Sequence, residues 1–126
     1  MEYSVEELFN YCKELEKRVK QLEFRQTLML SDTNTNRLLL DYNITQSQYK
    51  SIMDIMDTFR KEIGSGKKVS HNEFENSILK IVNRYDIDYH FCEYIAKAFM
   101  DDERWEEVFP ALYGDMAKYA YLKEDK

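Results

Sequence analysis

The chain has 126 residues, 44% apolar and 33% charged, with three Gly, one Pro and a net charge of −6. A chain of this length buries roughly two thirds of its unfolded surface, so one self-sufficient domain is expected, and the apolar share excludes a disordered chain. Few Gly and Pro argue against the many turns of an all-β fold, and the acidic balance argues against general nucleic-acid affinity, which rests on Lys and Arg neutralising phosphates.

The start, Met1-Glu2-Tyr3-Ser4-Val5-Glu6-Glu7, lacks the basic and apolar regions of a signal peptide, and no apolar stretch approaches the ~18 residues of a membrane span. Within residues 1–30, Val5, Leu8, Cys12, Leu15, Val19, Leu22, Gln26 and Met29 recur at alternating spacings of three and four, a heptad seam over four repeats. Val5, Cys12, Val19 and Gln26 take position a, and Leu8, Leu15, Leu22 and Met29 take position d. Charged residues such as Glu6, Glu7, Lys13, Glu14, Glu16, Lys17, Arg18, Lys20 and Glu23 flank the seam and keep it narrow, as in a coiled coil. Phe24 and Leu28 form a second apolar pair on another side of the helix, where it is expected to root in the rest of the chain.

Residues 31–126 read as a compact helical body. Ser31 to Asn36 is a polar break, followed by a short apolar helix from Arg37 to Tyr42. Thr45-x-x-Gln48 has the form of a capping box before a helix with Tyr49, Ile52, Met53, Met56, Phe59 and Ile63 on one face, and Gly64-Ser65-Gly66 ends it. Ser70-x-x-Glu73 repeats the capping pattern before Phe74, Ile78, Ile81, Val82 and Tyr85. Asp86 or Asp88 can cap the next helix, with Phe91, Cys92, Ile95 and Phe99 inward. Asp101-Asp102-Glu103 is expected at the amino end of a last helix carrying Trp105, Val108, Phe109, Leu112 and Met116, which Pro110 should bend or break. The end, Lys123-Glu124-Asp125-Lys126, is expected to fray. Fold class is therefore all-α: a long amino-terminal coiled-coil helix followed by a multihelical body.

Chemistry-bearing motifs are sparse. Cys12 and Cys92 stand outside any C-x-x-C or Cys/His ligand spacing, which fits reduced thiols in a cytoplasmic protein. His71 and His90 have only Glu75 and Tyr94 at i+4, too little for a metal site, so His71 reads as a solvated helix start and His90 as partly packed. Gly64-Ser65-Gly66-Lys67-Lys68 lacks P-loop spacing and reads as a linker. Tyr42, Tyr49, Tyr85, Tyr89 and Tyr94 mostly flank or join core faces. No nucleophile is paired with a base, so neither an enzymatic activity nor a cofactor is expected. Leu38 to Ile52 resembles a helix-turn-helix, in which Gln46, Gln48 and Lys50 could face base edges, but Asp54, Asp57 and the acidic chain weigh against it.

Leu38-Leu39-Leu40-Asp41 leading into Ile44-Thr45 and the Ile52–Asp57 helix, then Val69-Ser70-His71-Asn72-Glu73-Phe74 and Trp105-Glu106-Glu107-Val108-Phe109, resembles the YhaI-like family of small helical proteins from Bacillus and its relatives. The resemblance covers nearly the whole chain, with Pro110 and Tyr119-Ala120-Tyr121 as departures. It implies a multihelical, oligomeric fold and supplies no functional residue. The resulting reading is a homo-oligomer, dimer or trimer, that binds another protein as an interaction or regulatory factor, of the kind carried on phage-derived elements. A helix-turn-helix regulator is the alternative, and an enzyme comes third.

Overall fold

The computed structural model describes residues 2–119 and 121. Every regular element among them is helical: α1 (Val5–Met29), α2 (Asn34–Asp41), α3 (Gln46–Gly64), α4 (His71–Ile81), α5 (Tyr89–Asp101), α6 (Val108–Tyr113) and a 3-10 turn at Ala117–Tyr119. The protein is all-α, with a long first helix and a compact body built on the helices that follow. Residues 123–126, expected to fray, and Ala120 lie outside the described residues.

The body is organised around α5. Phe91, Cys92, Glu93, Ile95, Ala96, Ala98 and Phe99 are all buried, so this helix is covered on most of its circumference and sits where α2, α4 and α6 pack against it. Helix α3 lays Ile52, Met56 and Phe59 against α4 and α6, and the Phe59 and Phe74 rings meet edge to face at 5.3 Å. Ile52, Met56, Phe74, Ile78, Ile95, Phe99 and Phe109 are wholly buried, which accounts for most of the apolar periodicity.

Helix starts follow the capping chemistry. Ser4 and Glu7, and Thr45 and Gln48, form reciprocal capping boxes. Ser70 caps α4 by accepting from the Asn72 N–H, without the reciprocal Glu73 bond that its spacing suggests, and Asp88 rather than Asp86 caps α5. Helix α2 begins at Asn34, inside the stretch expected as a break, because Thr33 accepts from the Asn36 N–H and the Asp102 carboxylate accepts from the Asn34 and Thr35 N–H groups at 3.1 and 2.7 Å. Asp102 therefore complements the dipole of α2, not that of the last helix. Asp101 in fact ends α5, and α6 starts only at Val108 with no side-chain cap. Pro110 is the third residue of α6, in the first turn where its missing N–H has no intrahelical partner, so it neither bends nor breaks the helix.

Helix ends share one device. At α2 the Asn43 N–H donates to Leu40 and the Ile44 N–H to Leu39, with Asn43 at φ 50° and Leu39 against Ile44 in the core. At α3 Gly66, at φ 84°, donates to Ile63 and Lys67 to Glu62. At α5 Glu103, at φ 62°, donates to Met100 and Arg104 to Phe99. All three are Schellman closures, and only the third places a residue with neither the freedom of Gly nor the tolerance of Asn in the left-handed position. Glu103→Gly is therefore expected to stabilise the fold by about 0.5–1 kcal/mol, read as a rise of a few degrees in Tm. An unchanged or lower Tm would show that the Glu103 side chain compensates its backbone.

Several aromatic residues fall elsewhere than periodicity suggests. Tyr85 is fully exposed because α4 ends at Ile81 and the chain turns before reaching it, and Tyr89 and Tyr94 are also exposed. Tyr42 and Tyr49 are half-buried, whereas Tyr113 and Tyr119 are buried. Both buried tyrosines donate to carboxylates, Tyr113 to Glu75 at 2.8 Å and Tyr119 to Glu93. Burial pushes both phenols up, and the carboxylates add to the effect, so each remains a donor. Burial also opposes charge on Glu93, but hydrogen bonds from Lys118, at 2.7 Å, and Tyr119 hold its carboxyl below the usual value.

Candidate interaction surface

Helix α1 is 25 residues long, roughly 38 Å at 1.5 Å per residue, and only its last third touches the body. Its buried side chains are Phe24 and Leu28. Beside them Gln21 donates to Asn43 Oδ1 and to the Ile44 carbonyl, both at 3.1 Å. Arg25 donates to the Leu40 carbonyl at 2.9 Å and to Asn43 Oδ1 at 3.1 Å. The Arg25 guanidinium thus meets the negative end of the α2 dipole.

All eight seam residues are exposed. Val5, Leu8, Leu15, Val19, Leu22 and Met29 range from 37% exposed at Leu15 to 84% at Val5, and Cys12 and Gln26 are exposed as well. The stripe therefore does not pack on its own domain. The reason is geometric. At about 100° per residue, Gln21, Phe24, Arg25 and Leu28 centre on one side of the helix, whereas the seam centres well over a quarter turn away. In heptad terms the body grips positions c, f and g, leaving a and d uncovered as far as Met29. Phe9, Tyr11 and Leu30 extend the apolar surface at e, g and e, and all three are exposed.

The positions considered for reading bases are arranged differently. Helices α2 and α3 are joined by the four residues 42–45, and Gln46 and Lys50 are exposed on the first turns of α3. Gln48 is half-buried and occupied: its carbonyl oxygen accepts from the Thr45 N–H at 3.0 Å, and its amide approaches the Ile81 carbonyl at 3.5 Å. It serves the helix start and does not face outward.

No known protein family, curated sequence or solved structure matches this chain. Among the described residues no group of three or more His, Cys, Asp and Glu is placed to hold a metal ion. His71 is half-buried with its ring 5.7 Å from that of Tyr113, and His90 is exposed and stacks on Tyr89 at 4.1 Å, the reverse of the expected environments. The helix start is the packed one because α4 leans on the α6 end of the body. Cys92 is buried, and burial together with the nearby Glu75 pushes its thiol up to about 12, so it stays protonated and unreactive. Among the described residues no helix is long and apolar enough to cross a membrane.

Three contributors carry no motif. Gln21 and Arg25 look like ordinary solvated positions of a heptad, and only their spacing with Phe24 and Leu28 marks a docking face. Arg104 gives no signal beyond following an acidic run, although its guanidinium packs over the Phe99 and Trp105 rings and donates to Tyr49.

Proposed function

We propose that α1 joins copies of this chain into a parallel coiled coil, and that the helical bodies so displayed bind another protein, making this a non-enzymatic interaction or regulatory factor. The observation that carries the reading is the uncovered seam, with eight a and d positions exposed on a helix whose opposite side holds the body. A monomer rarely leaves so long an apolar stripe in water without a use for it. Because the docking face lies at c, f and g, two helices can meet along the seam with both bodies outside it and no rearrangement of the fold.

Flanking charge supports the parallel orientation. Arg18 at g would meet Glu23 at e of a parallel partner, whereas antiparallel pairing would oppose like charges. Val at a and Leu at d favour two strands, and Phe9 and Tyr11 beside the seam widen it toward three. Light scattering at tens of micromolar tests the reading: a dimer or trimer is expected, and a monomer overturns it. Free Cys12 and Cys92 fit a reducing compartment, which supports a place in the cytoplasm.

Position a also brings equivalent residues of parallel strands face to face. Mild oxidation of the purified protein is expected to yield a covalent dimer that Cys12→Ser abolishes and Cys92→Ser leaves intact. Loss of the crosslink in Cys92→Ser would place the contact elsewhere and refute the register.

A further inference from the structure

Between the docked part of α1 and the start of α3 runs a groove made of two adjoining cavities of about 410 and 650 Å³, which share Gln46 and Ser47. Its floor is apolar and its rim is cationic. Phe24, Tyr49 and Met53 lie below, and Lys17, Lys20 and Lys50 lie along the edges. Among the described residues no carboxylate lines either cavity, although acids outnumber bases 24 to 18 in the chain. Lys20 is paired with Glu16 at 3.2 Å, while Lys17 and Lys50 form no ion pair among the described residues.

The floor is held from behind. Arg104 donates to the Tyr49 hydroxyl at 2.8 Å and to the Met53 sulfur at 3.4 Å, while its guanidinium packs over the Phe99 and Trp105 rings at 5.2 and 4.9 Å from their centroids. It reaches this position because the α5 closure is completed with Glu103 at φ 62° and Trp105 at φ 46°, two unfavourable left-handed residues on either side of it. Residues held in such conformations persist where the surroundings over-determine them, as in ligand clamps. Here the constrained turn fixes two residues of an open groove, and methionine supplies an adaptable surface.

We propose that this groove docks an acidic amphipathic segment of a partner protein, placing apolar side chains on Phe24, Tyr49 and Met53 and carboxylates beside Lys17 and Lys50. Nucleic acid is the weaker match, because the floor is apolar, and at the start of α3 the capping box takes up the Thr45 and Gln48 N–H groups, leaving fewer donors for a phosphate. Gln46 and Lys50 are thereby rim residues of a protein-binding groove. The inference names a surface for the partner binding proposed above, but it does not depend on self-association, since the groove lies within one chain.

The test titrates a fluorescent peptide with Glu on one helical face and Leu and Phe on the other into the full-length protein, with three comparisons: the peptide with Glu replaced by Gln, the peptide with Leu and Phe replaced by Ser, and a short DNA duplex. The acidic amphipathic peptide is expected to bind at physiological salt, the three comparisons to bind far more weakly, and the Met53 methyl resonance to shift on titration. Lys17→Glu and Lys50→Glu, both exposed, are each expected to lower the affinity about tenfold with circular dichroism unchanged. Leu15→Asp, used in parallel, should bind the peptide as the parent does, so oligomeric state and groove occupancy are read separately. The proposal is overturned by absent binding, by affinity indifferent to both lysine variants, by an unmoved Met53 resonance, or by a duplex that binds in preference to the peptide.

Discussion

Leu15→Asp is expected to convert the assembly to monomers while the body remains folded. Leu15 sits at a central d position and, although the least exposed of the apolar seam residues, is still exposed. Association would bury it, and burying an unpaired carboxylate there costs several kcal/mol in every strand, more than a four-heptad contact easily absorbs. In the monomer the same carboxylate is in water and costs little. Body residues such as Ile52, Phe74, Ile95, Phe99 and Phe109 lie on other helices, and α1 is anchored by Phe24 and Leu28, far from the substitution. Sedimentation should show one monomeric species, with helical circular dichroism and a single cooperative unfolding transition. Unfolding or aggregation would mean that the stripe serves the domain's own stability, and the coiled-coil reading would fail.

The apolar stripe of α1 and the docking pair are legible in the sequence because both are periodic. A three-four spacing of apolar residues specifies a helix face whatever lies opposite it, and Phe24 with Leu28 stood out by departing from the seam's phase. What covers a face is another matter. Tyr85 follows Ile78, Ile81 and Val82 in good helical phase, but the helix stops first, and a stop set by backbone closure at Val82 leaves no strong signature. In sequence Pro110 reads as a breaker only for a helix that begins near Asp101. Once α6 begins at Val108, the same proline sits in a tolerated first turn.

The least legible features were contacts between residues far apart in the chain. Asp102 lies in an acidic run that suggests the amino end of the last helix, but the helix whose dipole it complements begins 68 residues earlier. Arg104 is likewise an isolated cation in sequence, and its part in fixing Tyr49 and Met53 depends on a left-handed Glu103 that no propensity favours. Capping rules identify which residues can satisfy a helix end. They do not say whose end it is.

That long-range cap carries the second large effect, an acid-sensitive loss of stability in Asp102→Asn. One carboxylate accepts from the Asn34 and Thr35 backbones and from both their side chains, closing the start of α2 against the end of α5. Burial opposes its charge, but hydrogen bonds from Thr35 and Asn34 outweigh that cost and hold the carboxyl below the ordinary aspartate value of 3.8. Asparagine offers one acceptor in place of two and turns an N–H₂ group toward backbone donors. A loss of about 2–3 kcal/mol is therefore expected at pH 7. The sign of the pH dependence follows from linkage. A carboxyl whose folded pKa is depressed contributes fully above its unfolded value, and that contribution declines as the pH falls through 3.8 and on through the lower folded value. Asparagine does not titrate, so the stability gap between parent and variant should be constant from neutral pH to about pH 5 and close progressively below it. Urea unfolding of both proteins at neutral and strongly acidic pH measures the gap directly. A gap of equal size at both would assign the effect to packing at the α2–α5 junction, and no gap at neutral pH would show that water caps α2 as well as Asp102 does.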